Sequence, residues 1–249
     1  MYMMIWDTFR LRPFTTKELT NAIVKDKDQL RVALSRLARR GWLLRLRRGR
    51  YLAKPLDRIV TSLRLYSRAQ NALRKAGITS PAYIYGSVAD LLASKGSDVD
   101  ILIVARGDWE ETERKLSDFH LIFVDPRYAQ KPEDFFIYTI LKRGIPLFSK
   151  LEVPQASFDP QSLLEEAIKI YRSAKFDGAT YEPQLVDAAG MAAKHILYKS
   201  EVLPPTSSIG AIFELARIQE AYLEAVKALE AQKVEKALKM VMRWARKTR

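Results

Sequence analysis

The chain has 249 residues, 48% of them hydrophobic, which is enough to bury a core in one large domain or in two to three small ones. It contains no cysteine, which excludes disulfides and thiolate metal sites, and no apolar run near the roughly 18 residues that cross a bilayer. The first residues lack the basic-then-apolar order of a secretory signal. These features predict a cytoplasmic protein with no membrane partner.

Positive charge is concentrated at the N-terminal end. The formal net charge is +13, and residues 1–55 hold 14 Lys and Arg against 4 Asp and Glu. A concentration of this kind favours a surface that binds a polyanion such as DNA or RNA. The alternative is a solvated charged face of the sort that thermophilic proteins carry.

The same stretch predicts two helices and a hairpin. Thr16 is a candidate N-cap for a helix over 17–24, with Glu18 in the first turn. A second helix is predicted over 29–40, where Gly41 ends it. The residues that follow, WLLRLRRGRYLAKP, surround an Arg-Arg-Gly turn, which predicts a β-hairpin.

This order of helix, turn, helix and basic hairpin resembles the winged helix-turn-helix domain, and most of all that of abortive-infection-type antitoxins. The resemblance implies that the second helix enters a groove of DNA or RNA, that the hairpin is the wing, and that the role is toxin–antitoxin-like. Such domains also dock on proteins, so this alternative stays open. The implied nucleic-acid-binding residues are Arg31, Arg36, Arg39 and Arg40 on the helix, and Arg45, Arg47, Arg48 and Arg50 on the hairpin.

Three regions follow the basic module of residues 1–55. A connecting helix is predicted within 56–77, and in 78–150 three strand-like runs alternate with helices, which predicts a small α/β sheet. From Asp159-Pro160 onward the spacing is helical, which predicts an antiparallel bundle over 158–249. The predicted strands are 83–85, 99–104 and 119–124; helices are predicted after 86, over 108–117, from 160, and over 183–200, 208–230 and 232–247.

Two short motifs flank the first two strands of the predicted sheet. Gly86-Ser87 ends one strand, and Asp98-Val99-Asp100 begins the next. Because side chains alternate along a strand, both carboxylates point to the same face. Like charges at that separation repel each other, so the pair suggests a bound cation.

These motifs resemble the nucleotidyltransferase superfamily of the polymerase-β type, specifically its minimal, single-domain branch. The resemblance implies that Gly86 and Ser87 bind the phosphates of a nucleoside triphosphate (NTP), and that Asp98 and Asp100 hold Mg²⁺ or Mn²⁺. It also implies that an acceptor hydroxyl displaces pyrophosphate. The segment LKRGIPLFSK, residues 141–150, is similar to the closing strand of that family.

The chain departs from the family pattern in two places. Asp90 and Leu91 stand where the family usually has a basic residue and a glycine, which predicts a weaker phosphate cradle. The second departure is that the position of the family's third carboxylate is not evident in this chain. Asp118 as a third ligand, His120 in a catalytic role, and no third group at all remain open alternatives.

The predicted fold class is therefore α+β and multidomain: a winged helix, a central α/β nucleotidyltransferase sheet and a C-terminal helical bundle. The predicted function is Mg²⁺-dependent transfer of a nucleoside monophosphate (NMP) from an NTP to an acceptor hydroxyl, on RNA or another nucleic acid recruited by the basic module. The alternative is a DNA-binding regulator with a nucleotide-sensing or inactive nucleotidyltransferase domain. A homodimer is compatible with either function.

Overall fold

The computed structural model describes residues 1–9, 13–23, 26–107, 109–176 and 182–215. Its N-terminal part combines three helices with a small antiparallel sheet of strand order β1-β3-β2. Ile5, Phe14, Leu19, Leu30 and Leu34 are fully buried and form its core. The elements are α1 (Tyr2–Phe9), β1 (Phe14–Thr15), α2 (Thr16–Ala22), α3 (Lys27–Arg39), β2 (Leu43–Arg47) and β3 (Arg50–Ala53).

The helix starts of this part follow from their caps. The N-cap of α2 is Thr15, not Thr16, because Glu18 must occupy the third helical position to return a hydrogen bond to the cap in a capping box. The carboxylate of Asp26 caps α3 and starts it two residues before the predicted position. At the other end, Gly41 has φ +74°, a left-handed conformation that terminates α3 as the sequence predicted.

A 20-residue helix, α4 (Leu56–Lys75), leads to a four-stranded sheet of order β6-β5-β4-β7. Strands β5 and β6 are parallel, whereas β4 runs antiparallel to both β5 and β7. One face of this sheet packs on α4, and the other contacts α8, a helix that the sequence analysis did not predict. The elements are β4 (Ala82–Tyr85), α5 (Gly86–Ala89), β5 (Asp100–Val104), α6 (Trp109–Lys115), β6 (His120–Val124), α7 (Pro126–Gln130), α8 (Phe135–Arg143) and β7 (Ile145–Pro146).

Three helices of the C-terminal part are described: α9 (Pro160–Phe176), α10 (Glu182–Lys199) and α11 (Ser208–Leu215). Helix α10 packs against both of the others through small residues such as Ala189 and Ala193. The remainder of the helix predicted over 208–230, and all of that predicted over 232–247, lie outside the described residues.

The basic module and the C-terminal helices share one core. Leu44 and Leu52 of the hairpin are buried in the same cluster as Leu92 and the apolar residues of α9, α10 and α11. The hairpin therefore buries one face against the tail, and it buries Leu43, Tyr51 and Ala53 of its other face in the core of the basic module. Its turn and its exposed arginines remain available to a ligand. Among the described residues, no helix is both long and apolar enough to cross a membrane.

Candidate functional site

Three residues lie in one row across the central sheet. Tyr85 at the end of β4 pairs with Asp100 at the start of β5, and Asp100 pairs with His120 at the start of β6. Residues that pair directly on neighbouring strands point to the same face, which here is the face that α8 covers. The fold thus brings Asp100 and His120 together, although 19 residues separate them in the sequence.

Asp100 has a different contact at each carboxylate oxygen. Its Oδ1 lies 3.0 Å from Nδ1 of His120, and its Oδ2 occupies the space that a Cβ on Gly86 would need. Burial raises the pKa of Asp100 above its ordinary value, the hydrogen bond and the charge of His120 oppose that rise, and the negative charge of Asp98 adds to it. Asp98 itself is exposed and precedes the strand.

Position 86 requires a glycine, both because of its backbone conformation and because Asp100 lies so close to it. Its φ is +69°, and a Cβ at this position would lie 2.3 Å from Oδ2 of Asp100. Its backbone N–H donates to the hydroxyl of Thr206 in the C-terminal part at 2.9 Å. The loop predicted to bind phosphate therefore already contacts the tail through its glycine amide.

Asp90 is a buried link to the tail, and it stands where a basic residue was expected. Its carboxylate accepts hydrogen bonds from the backbone N–H (2.8 Å) and the hydroxyl of Ser207. Its backbone carbonyl accepts from Nζ of Lys54 at 2.8 Å. Burial raises the pKa of Asp90 and lowers that of Lys54 and of nearby Lys194, and the attraction between the opposite charges opposes each of these changes.

Leu91, which stands where a glycine was expected, keeps the backbone conformation of a glycine. Its φ is +56°, in the left-handed region that side chains disfavour. Its side chain packs against the core of the basic module and reaches Gly41. The two departures from the family pattern therefore join the loop to the modules on either side of it in the chain.

A cleft of about 760 Å³ opens between the central sheet and the C-terminal helices. One wall comes from the loop Gly86-Ser87, Asp100 and the start of α8, and the other comes from α9, α10 and the start of α11. We refer to it as the Asp100 cleft. Lys194, Thr206 and Ser207 line it, with Nζ of Lys194 donating to the Thr206 carbonyl at 3.2 Å.

Asp118 lies apart from this arrangement. It is exposed and forms an ion pair with Arg68 on α4. Asp118 follows α6 and comes before β6 begins, whereas His120 is the β6 residue that pairs with Asp100. Within the described ranges, no three His, Asp or Glu side chains gather at one point.

The predicted nucleic-acid-binding arginines occupy exposed parts of the basic module, with three exceptions or qualifications. Arg31 is exposed and pairs with Asp28 one turn earlier on α3 at 3.2 Å, and Arg50 is half-buried. Arg47 lies in β2, where its backbone pairs with Arg50, and its side chain is outside the described part of the structure. The other exposed side chains of this set are Arg36, Arg39, Arg40, Arg45 and Arg48.

Several residues that line the cleft were not predicted from the sequence. Tyr85, Phe136 and Thr139 come from β4 and α8, and Lys194 and Thr206 come from the tail. The run PEDFFIYTILKR carried a usable signal, since Asp134 caps α8 and apolar residues repeat at helical spacing after it. The tail residues gave no local signal because their contacts to the loop span more than 100 residues of sequence.

The side chains of the cleft suit a hard divalent cation. Mg²⁺ typically binds one or two carboxylates and completes its shell with water and substrate phosphates, so it does not need a third protein carboxylate. Asp100 offers a half-buried carboxylate on the cleft wall, and Asp98 is close enough to influence its pKa. Asp98 and Asp100 are therefore the residues that would hold such an ion.

Comparison with known families points to the same segment of the chain. A family model described as nucleotidyltransferase domain matches residues 68–170, which run from within α4 to within α9 and contain the whole four-stranded sheet. No curated protein and no solved structure matches the chain. The match supports membership of the nucleotidyltransferase superfamily, a class of transferases, for residues 68–170.

Proposed function

We propose that the protein transfers an NMP from an NTP to an acceptor hydroxyl in the Asp100 cleft. The observation that carries this proposal is the meeting of Gly86, Asp100 and His120 at one point of the sheet, within the segment that matches the nucleotidyltransferase family. Gly86 lets the chain pass against the carboxylate, and Ser87 beside it places a hydroxyl on the cleft wall for a phosphate oxygen.

A metal is part of the proposal. Mg²⁺ or Mn²⁺ held by Asp98 and Asp100 would neutralise charge on the triphosphate and lower the pKa of the attacking hydroxyl. Asp100 also orients His120: when Nδ1–H donates to Oδ1 at 3.0 Å, Nε2 of that ring is left as the basic nitrogen. The ring of His120 is 67% exposed, so an acceptor can reach it, and we assign to Nε2 the removal of the acceptor's proton.

The acceptor in this proposal is a nucleic acid bound by the basic module as a winged helix. Arg36 and Arg39 of α3 and Arg40 at its C-cap are exposed, while the leucines on the opposite face of that helix are buried. Arg45 and Arg48 of the hairpin are exposed as well, whereas its apolar side chains are buried against the tail or in the core of the basic module. Such a surface favours phosphate contacts, which supply most of the affinity of sequence-independent binding.

A transfer assay tests the function. The purified protein is incubated with each of the four α-labelled NTPs, Mg²⁺ and one acceptor at a time: total tRNA, duplex DNA, or the protein alone. We expect label to enter RNA, and the matched variant Asp100→Asn to be inactive. Absence of label from every acceptor with every NTP, from protein whose fold is intact by circular dichroism, would contradict the proposal.

One observation favours the alternative of a regulator with an inactive domain. Among the described residues, Asp98 and Asp100 gain no third carboxylate, since Asp118 is paired with Arg68. In that case the protein binds nucleic acid with a salt-sensitive affinity that changes when an NTP is added, and it releases no pyrophosphate. Measuring pyrophosphate release and nucleic-acid affinity in the same preparation separates the two functions.

A further inference from the structure

Two residues that line the Asp100 cleft carry buried hydroxyl groups with no hydrogen-bond partner among the described residues. Tyr85 is 4% exposed and Thr139 is 2% exposed. The oxygens Tyr85 Oη and Thr139 Oγ1 are covered, and neither makes a hydrogen bond within the described part of the chain. Because a buried hydroxyl without a partner costs free energy, native proteins rarely keep one unless a ligand or water satisfies it.

The fold sets both groups beside the proposed reaction centre. Tyr85 directly precedes Gly86, pairs with Asp100 across β4 and β5, and lies close enough for that carboxylate to raise the pKa of its phenol. Thr139 lies on α8 one turn after Phe136, which also lines the cleft. The ring of Phe136 packs edge-on against that of Tyr85, with centroids 5.4 Å apart, and is still 38% exposed.

We infer that the hydroxyls of Tyr85 and Thr139 bind the ribose of the NTP, an inference that rests on the proposed function. In a nucleotide the sugar lies between the phosphates and the base. Tyr85 has the proposed phosphate loop next to it in the chain and an exposed aromatic ring next to it in space. The 2′- and 3′-hydroxyls of ribose each donate and accept hydrogen bonds, as do the Tyr and Thr hydroxyls, so the two sets can satisfy one another.

A neighbouring residue on the same strand supplies the matched control. Tyr83 is also fully buried, but its hydroxyl accepts a hydrogen bond from the backbone N–H of Leu151 at 2.5 Å, and it does not line the cleft. Tyr83→Phe removes a hydroxyl that the fold uses, whereas Tyr85→Phe removes one that it does not use. We therefore expect Tyr83→Phe to lower the melting temperature, and Tyr85→Phe and Thr139→Val to leave it unchanged or raise it.

The test is equilibrium binding of nucleotides to the full chain by calorimetry, with Mg²⁺ present and no acceptor. The probes are the tightest-binding of the four NTPs and its 2′-deoxy and 3′-deoxy forms. The wild type should bind the ribonucleotide more tightly than at least one deoxy form. Tyr85→Phe and Thr139→Val should each weaken ribonucleotide binding by about threefold to tenfold, the size of one hydrogen bond, and leave the affinity for the discriminated deoxy form unchanged.

Each of the other outcomes would overturn the ribose assignment, the proposed function or both. Variants that weaken all three nucleotides equally, or that weaken none, overturn the ribose assignment; the second result is what a buried water bonded to these hydroxyls would give. Nucleotide binding with the expected discrimination but no transfer to any acceptor overturns the proposed function and supports the ribose site. Absence of binding by every nucleotide overturns both.

Discussion

Nδ1 of His120 lies 3.0 Å from Oδ1 of Asp100, on adjacent parallel strands that pair at these two residues. The contact is a consequence of register, because paired residues of β5 and β6 share one face of the sheet. His120 therefore occupies the position nearest to Asp100 on β6, while Asp118 is paired with Arg68. The geometry favours His120 over Asp118 among the alternatives that the sequence left open.

Replacing Asp100 by asparagine should have opposite effects on stability and on transfer activity. Burial raises the pKa of Asp100 in the folded protein above its unfolded value. The stability that this group contributes is therefore present below its unfolded pKa and is lost as the pH rises through its folded pKa. Asp100→Asn, which mimics the neutral acid, should raise the melting temperature at pH 7, and the difference from wild type should shrink below about pH 4. Transfer should fall by roughly a hundredfold or more.

Two further variants test whether His120 or Asp118 acts as the third catalytic group beside Asp98 and Asp100. His120→Ala should also lower transfer strongly, because the base and its orienting contact are lost together. Asp118→Asn breaks only an exposed ion pair, so the free energy of unfolding should change by less than about 1 kcal/mol and transfer should persist. Loss of transfer in Asp118→Asn with full transfer in His120→Ala would reverse the assignment.

A third prediction concerns the link between the loop and the tail. Asp90→Ala removes the oxygen that accepts both hydrogen bonds from Ser207 and leaves Lys54 and Lys194 buried without the carboxylate. We therefore expect the free energy of unfolding, measured in urea, to fall by about 3–5 kcal/mol. Glu111→Ala, which removes an exposed carboxylate paired with Lys115, is the control and should leave the unfolding midpoint almost unchanged, because solvent screens such a pair. Equal effects of the two substitutions would show that Asp90 is not a structural link.

Much of the fold could be predicted from local patterns, and the failures have physical causes. Caps, apolar spacing and Gly41 located α2, α3, the hairpin and the strands to within a few residues, because these signals act over one or two turns. Thr15 was missed as the cap since two adjacent threonines are equivalent until Glu18 selects one of them. Asp90 was predicted to weaken phosphate binding by the loop. Its contact with the tail could not be predicted, because its partner, Ser207, lies 117 residues away in sequence.

A fourth prediction tests the close approach of the loop to Asp100. Gly86→Ala combines a disfavoured φ with a Cβ only 2.3 Å from Oδ2, so Asp100 must move. We expect the loss of detectable NTP binding in calorimetry. Gly77→Ala is the matched control, because Gly77 has φ +77° and nothing within 4 Å of the added Cβ. It should cost about 1–2 kcal/mol of stability from the backbone alone and bind NTP as the wild type does. Normal binding by Gly86→Ala would mean that the loop tolerates displacement of Asp100.

The last prediction concerns the exposed arginines of the hairpin. If Arg45 and Arg48 contact phosphates, binding to duplex DNA should weaken steeply with salt, with a log–log slope of roughly −0.9 per contact. Changing both residues to Ala should flatten the slope by up to about two contacts, and the loss should be nearly uniform across sequences because backbone contacts carry no base information. Arg64→Ala with Arg74→Ala removes the same charge from exposed positions of α4 and should leave the slope close to that of the wild type. Arg36 and Arg39 of α3 should instead change which sequence is preferred if that helix reads bases. If the hairpin pair and the α4 pair flatten the salt dependence equally, net charge and not the hairpin governs binding. If binding does not depend on salt at all, protein docking is left as the role of the basic module.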